Sequence, residues 1–182
     1  MNAESIAGSR IGKRLIRLLA RAMESRFRYR FFPPERILSG ADALSGQAVL
    51  ELGCGTGFFT LPAARLIGDR GRLVAMDILP ESVALVSGKV KAAGLQNVRV
   101  AKGDALATGL DDGSFDTVLL FGVVPAPMLP LSRLLPEVHR LLKPGGNLAV
   151  WPALPGLARS LANSGLFAAG LKRNGVLNFR RF

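Results

Sequence analysis

Glu51-Leu52-Gly53-Cys54-Gly55-Thr56-Gly57 joins two unlike patterns. Before it stands QAVLEL, Gln47 to Leu52, an apolar run that reads as a buried strand. After it, Phe58 to Ile67 reads as a helix. A chain that turns this sharply needs residues free to take positive φ, and glycine takes it at no steric cost. In an open parallel sheet, ligands bind beyond the C-terminal strand ends, where such a turn lies.

Outward from this loop the alternation continues. Strands are predicted at Arg72–Met76, Val98–Ala101, Phe115–Phe121 and Asn147–Trp151, and helices at Arg36–Leu44, Pro80–Ala93 and Leu131–Leu142. Repeated strand-then-helix units imply a parallel sheet covered by helices on both faces. Near the end, a short helix at Leu157–Asn163 precedes two strand-like runs, Leu166–Lys172 and Val176–Phe182. Arg173-Asn174-Gly175 lies between them, and Asn-Gly is a hairpin signal. The expected fold is therefore α/β, a doubly wound Rossmann-like sheet of seven strands, mostly parallel and closed by an antiparallel C-terminal hairpin.

Two aspartates extend the loop's chemistry. Asp77 ends the second strand, where a carboxylate accepts hydrogen bonds from ribose hydroxyls. Asp104, in Gly103-Asp104-Ala105, follows the third strand and is placed to accept from an adenine amino group. Two nucleoside cofactors compete for such a site. A dinucleotide brings a pyrophosphate, which wants backbone N–H groups and no nearby anion. Its fingerprint is G-x-G-x-x-G, whereas the third glycine here comes one residue early. Glu51, two residues before the first glycine, would repel pyrophosphate but suits a ligand with an ammonium and a sulfonium. The balance favours S-adenosylmethionine over NAD.

The composition sets limits. A chain of 182 residues is one domain by length, and 49% hydrophobic with 20% charged residues excludes intrinsic disorder. A single cysteine, Cys54, excludes an internal disulfide and a multi-cysteine metal site, and one histidine, His139, excludes a His-rich one, so no metal is expected. No apolar leader pattern follows Met1. The longest uncharged stretch, Thr117 to Ser132, is interrupted by Pro125, Pro127 and Pro130 and falls short of the ~20 residues of a spanning helix. The expected location is cytoplasmic or peripheral to a membrane.

The net charge of +11 is confined to the ends. Residues 1–36 hold 9 basic and 3 acidic residues, residues 37–150 hold 10 of each, and residues 151–182 hold 5 basic and none acidic. In a helix from about Arg10 to Tyr29, Arg10, Lys13, Arg14, Arg17, Arg21 and Arg28 share one side, opposite Ile11, Leu15, Ile16, Leu18, Leu19, Ala22, Met23 and Phe27. Arg26 is the exception on the apolar face. Such a helix either packs on the domain with a solvated basic face or meets a phosphate-bearing surface. The expected organisation is a basic amphipathic helix over 1–32 and a catalytic domain over 33–182.

Glu51 to Gly57, Asp77, Gly103-Asp104-Ala105, Phe115-Asp116 and His139-Arg140-Leu141-Leu142-Lys143-Pro144-Gly145-Gly146 together resemble the S-adenosylmethionine-dependent methyltransferases of the seven-stranded Rossmann-like class. The nearest likeness is to the small-molecule branch that includes ubiquinone/menaquinone-type enzymes. The resemblance implies that Gly53, Gly55 and Gly57 line the methionine part of the cofactor and that Glu51 supports its amino group. It implies Asp77 on the ribose, Ile78 against the adenine, and Asp104 on the adenine amino group with Ala105 beside it. Phe121 and Gly122 would face the sulfonium and the acceptor, and S-adenosylhomocysteine would be the product.

The acceptor is less constrained. The Asn/Asp/Ser-Pro-Pro-aromatic run of exocyclic-amine methylators is missing, and Gly122-Val123-Val124-Pro125 stands in its place. A thiol mechanism is disfavoured because the lone cysteine sits in the glycine loop. No catalytic residue is assigned, and His139 reads as structural. The segments left to form an acceptor pocket are the N-terminal helices, the proline-rich loop Val123–Pro130 and the loop after Trp151. All are apolar, so the expected acceptor is a small hydrophobic molecule, quinone-like or lipid, reached from an anionic membrane surface that the N-terminal helix meets. An RNA methyltransferase using the basic ends, and a non-catalytic S-adenosylmethionine-binding protein, are the competing readings.

Overall fold

The computed structural model describes residues 26–42, 45–124 and 129–182. Most of the predicted basic helix and the centre of the Val123–Pro130 loop lie outside the described residues. Two short helices, α1 (Arg26–Phe31) and α2 (Pro34–Leu38), lead into the sheet. The order then runs β1 (Ala48–Leu52), α3 (Thr60–Ile67), β2 (Arg72–Asp77), α4 (Pro80–Ala92), β3 (Val98–Lys102), β4 (Phe115–Phe121), α5 (Leu131–Leu141) and β5 (Leu142–Trp151). Helix α6 (Leu157–Ala162) and the hairpin β6 (Phe167–Arg173) and β7 (Val176–Arg181) complete the chain.

The seven strands lie in the order β3-β2-β1-β4-β5-β7-β6. Strands β1 to β5 pair in parallel, and β7 runs antiparallel to both β5 and β6. This is the expected architecture. Strand β1 is buried along its whole length, which is why its sequence shows no polar alternation. Ala48, Leu50 and Leu52 enter the core under α5, whereas Val49 joins the core under α3. Glu51 shares the face of Val49 because side chains alternate along a strand. In α5, Leu134, Leu135, Val138 and Leu141 are buried at helical spacing. At the hairpin, Asn174 and Gly175 have φ of 47° and 76°, the two successive positive values that a tight I′ turn requires.

Several boundaries differ from the sequence reading, most by a single residue, and three of the differences have a clear physical cause. The helix expected over Arg36–Leu44 ends at Leu38, because the following turn is pulled onto the sheet. Asn147 Nδ2 donates to Ala41 O (2.6 Å) and Asn178 Nδ2 to Gly40 O (2.8 Å). Gly40 is obligatory there, since a Cβ would lie 2.3 Å from Arg173 O. Strand β5 starts at Leu142 instead of Asn147: Leu142 pairs with Phe115, and the register shifts before Asn147 meets Thr117. The Lys-Pro-Gly-Gly run is thus an irregularity within the strand. Helix α3 starts at Thr60, two residues later than expected, because the glycine turn continues through Phe59.

Candidate functional site

The glycine loop leaves the C-terminal end of β1 and is fastened to its neighbour β2. Gly53 N–H and Cys54 N–H both donate to Met76 O, at 2.8 and 3.0 Å. Gly53, Gly55 and Gly57 have φ of 78°, 53° and 82°, so all three use the freedom read from the sequence. Gly53 also answers to packing: a Cβ there would lie 2.2 Å from Val123 Cγ1, in the segment after β4.

Two carboxylates organise the loop. Asp77 Oδ2 accepts from Gly55 N–H (2.8 Å) and Oδ1 from Leu79 N–H (2.9 Å). Glu51 is buried at the end of β1, with 2% of its surface exposed, and Oε2 accepts from the Thr60 hydroxyl at 2.6 Å. Loss of hydration pushes the Glu51 carboxyl up to about 8, the Thr60 hydrogen bond opposes this, and the Asp77 charge adds to it. Neither carboxylate forms an ion pair with a described residue. Burial also drives the Cys54 thiol upward, helped by Glu51 and Asp77, so a thiolate nucleophile is disfavoured. Beside the loop, Lys89 Nζ on α4 donates to Thr56 O (2.9 Å), while the buried Thr56 hydroxyl has no partner among the described residues.

The remaining predicted residues gather at the same end of the sheet. Ile78 follows Asp77 and is 40% exposed. Asp104 follows β3 and is exposed, with Oδ1 accepting from Leu106 N–H (2.8 Å), and Ala105 beside it is half-buried. Phe121 ends β4 and packs edge-on to Phe59 at 5.0 Å. His139 lies at the opposite end, edge-on to Phe167 at 5.7 Å, its imidazole pulled down by burial and by Arg181. Asp116 is likewise remote: it accepts from Ala48 N–H (2.8 Å) and Lys143 Nζ (2.6 Å), fastening β1 to β4 and β5.

Several side chains at the site escaped the sequence reading. Thr60 reaches back only nine residues to Glu51, whereas Lys89 acts from a separate helix, and only the proximity of Thr60 to the loop hinted at its part. An aromatic cluster escaped it as well. Phe59 meets Trp151 at 5.5 Å, Phe32 meets Trp151 at 5.9 Å, and Tyr29 meets Phe58 at 4.7 Å. Together they form an aromatic wall beyond β4 and β5, partly covered by α1. A separate concavity of about 840 Å³, with Leu73, Asn97, Leu110 and Phe115 in its lining, lies at the N-terminal strand ends and includes none of the predicted residues.

The donor set suits a cationic nucleoside. A buried carboxyl and a second carboxylate, both lacking a described cation, flank a turn of three glycines at the C-terminal end of β1. Comparisons with known proteins agree. The family model described as "methyltransferase domain" matches residues 49–146. The demethylmenaquinone methyltransferase of Staphylococcus epidermidis is 33% identical over 113 residues, covering 62% of this chain and 45% of that protein. The enzyme of the same name from Geobacillus stearothermophilus is 35% identical over 102 residues, covering 56% and 43%. The matched stretches thus span under half the length of these curated relatives. Among solved structures, a SAM-dependent methyltransferase from Aquifex aeolicus superposes with a TM-score of 0.73 at 21% identity, covering 89% of this chain and 95% of that one. That likeness concerns the fold. The family match takes in more than half of the sequence, including the glycine loop and both carboxylates, and so this chain belongs to the methyltransferase domain family.

Proposed function

We propose that this chain transfers a methyl group from S-adenosylmethionine directly to a small hydrophobic acceptor of quinone-like character. The observation that carries the cofactor is Glu51, a buried carboxyl held high by lost hydration and by Asp77, with no described cation to neutralise it. A ligand ammonium would supply that charge. Gly53, Gly55 and Gly57 would line the same end of the ligand. Asp77 would hold the ribose hydroxyls, Ile78 would lie against the adenine, and Asp104 would accept from its amino group beside Ala105. Phe121 and Gly122 would face the reacting end. When bound, the cofactor supplies a methyl group already activated by its sulfonium. The protein's task is then to align the acceptor and exclude water.

The quinone-like acceptor is supported by the names of the relatives and by the half-buried Trp151, an aromatic ring backed by the buried Phe59 and edged by Phe32. Residues 33–182 would form the methyltransferase domain. Residues 1–32 would be a basic amphipathic segment that meets an anionic membrane, with Tyr29 and Phe32 already packed on the domain. Calorimetry with S-adenosylhomocysteine and NAD tests the cofactor, and transfer of labelled methyl to a reduced demethylnaphthoquinone in detergent tests the acceptor. Binding of S-adenosylhomocysteine with quinol methylation is expected. NAD binding, or label appearing only in RNA, would overturn the reading.

A further inference from the structure

The C-terminal end of the sheet is divided into two halves of opposite character. Around β1, β2 and β3 stand the carboxylates Glu51, Asp77 and Asp104, with exposed Glu81 on α4. Around β5, β6 and β7 the surface is aromatic and basic. Of the nine exposed large apolar side chains among the described residues, four lie there or lead into it, Phe31, Phe32, Leu154 and Leu171, while Tyr29 packs on Phe58 beside the glycine loop. Their exposures run from 38% to 70%, more than isolated surface apolar residues would explain given their clustering.

These residues form one rim. Phe32 lies against Trp151, a Cβ on Gly175 would sit 3.4 Å from Trp151 Nε1, and Ala153 N–H donates to Gly175 O at 3.0 Å. Asn174 Nδ2 donates to Arg36 O (3.0 Å), binding the hairpin tip to α2. Arg30 and Arg36, which bracket the aromatic pair Phe31-Phe32 in sequence, and Lys172 beside the hairpin tip are exposed cations. Of the two acidic residues in this region, Asp42 is held by Arg173 and Arg180, and Glu35 is exposed.

We propose that this rim is the face on which the protein lies against an anionic lipid bilayer, so that the aromatic wall opens toward the headgroup region. Aromatic side chains with Lys and Arg nearby suit that depth, where rings reach the acyl boundary and cations meet lipid phosphates. A lipid-soluble acceptor could then pass to Phe121 and Trp151 without crossing water. That last step rests on the function proposed above, whereas the docking rests on the rim alone.

The test exploits a property of the sequence: Trp151 is the sole tryptophan. Full-length protein is mixed with vesicles of phosphatidylcholine alone, or of phosphatidylcholine with phosphatidylglycerol, carrying plain or brominated acyl chains. Sedimentation with the anionic vesicles and dimming of Trp151 emission by the brominated lipid are expected. Lys172→Gln should weaken vesicle partition about fivefold, the loss expected for one cation near the surface. Phe31→Ser should weaken it as well, and both variants should keep their circular dichroism. Binding without dimming would place the contact elsewhere and overturn the proposal, as would no binding to anionic vesicles or unchanged partition in both variants. S-adenosylhomocysteine calorimetry on the same samples separates the two readings. Its failure would sink the proposed methyl transfer, and its success without vesicle binding would sink the docking and the membrane role of residues 1–32 but not the methyl transfer.

Discussion

Affinity for the cofactor should rise with pH, because Glu51 must lose its proton before it can receive a cation. The carboxyl titrates near about 8 in the ligand-free protein. At about pH 6 only ~1% of it is ionised, and at about pH 8 roughly half. If the bound state requires the carboxylate, affinity for S-adenosylhomocysteine climbs by a factor on the order of 50 over that interval. Calorimetry near about pH 6.5, repeated in buffers with different ionisation heats, should register close to one proton released per ligand, about the un-ionised fraction of Glu51. Glu51→Gln keeps the shape and an acceptor for the Thr60 hydroxyl but has no proton to lose. Its affinity should be lower at about pH 8 and flat toward lower pH. A flat wild-type profile, or unchanged proton release in Glu51→Gln, would refute the reasoning.

Stability without ligand carries the opposite sign. The folded-state value lies above the ordinary 4.5, so the folded chain holds a proton that the unfolded chain gives up. That contribution is complete below about pH 4.5 and is lost as pH rises through about 8, at ~1.4 kcal/mol per unit and several kcal/mol in all. Urea melts of ligand-free protein should therefore find Glu51→Gln more stable than wild type at about pH 8, the difference shrinking toward about pH 5.

Gly53→Ala combines a positive φ of 78° with a Cβ 2.2 Å from Val123 Cγ1. It should cost roughly 2–4 kcal/mol in denaturant melts, and adding Val123→Ala should recover the steric part but not the backbone part. Asp77→Asn removes one of the two carboxylate oxygens that hold Gly55 and Leu79. By calorimetry it should weaken S-adenosylhomocysteine ~10- to 100-fold. Asn178→Leu strips the donors to Gly40 O and Leu171 O, and a urea midpoint shift equivalent to roughly 2–4 kcal/mol should follow.

What could be read from the sequence is what depends on local chemistry. Buried parallel strands must be continuous apolar runs, so β1, β2 and β4 were plain, and Asn174-Gly175 announced a turn whose angles few other pairs accept. The glycine loop was legible because Gly53, Gly55 and Gly57 all take a positive φ, which few other residues accept. The rest is set by contacts between distant segments. Helix α2 stops early because asparagines more than 100 residues away claim Gly40 O and Ala41 O. Strand β5 begins early because Leu142 finds Phe115, which no property of Lys143-Pro144-Gly145-Gly146 predicts. Val123 against Gly53 and the contacts of Phe59 with Phe121 and Trp151 have the same origin: residues on separate βα units that meet only once the sheet is assembled.

The charge makes the same point at a larger scale. In the sequence the excess of cations lies at the two ends, and the centre is balanced. The fold brings residues 30–36 and the hairpin tip at 172–174 together, next to Trp151, on one side of the same mouth whose other side holds Glu51 and Asp77. The two fields should respond differently to salt. Glu51 is buried, so its attraction for a ligand cation is poorly screened, whereas the exposed rim lies within reach of a Debye length of ~8–10 Å at ordinary ionic strength. Raising salt should therefore release the protein from anionic vesicles while leaving S-adenosylhomocysteine affinity nearly unchanged. Parallel loss of both would mean that one electrostatic surface serves both ligands, and the division of the mouth would be wrong.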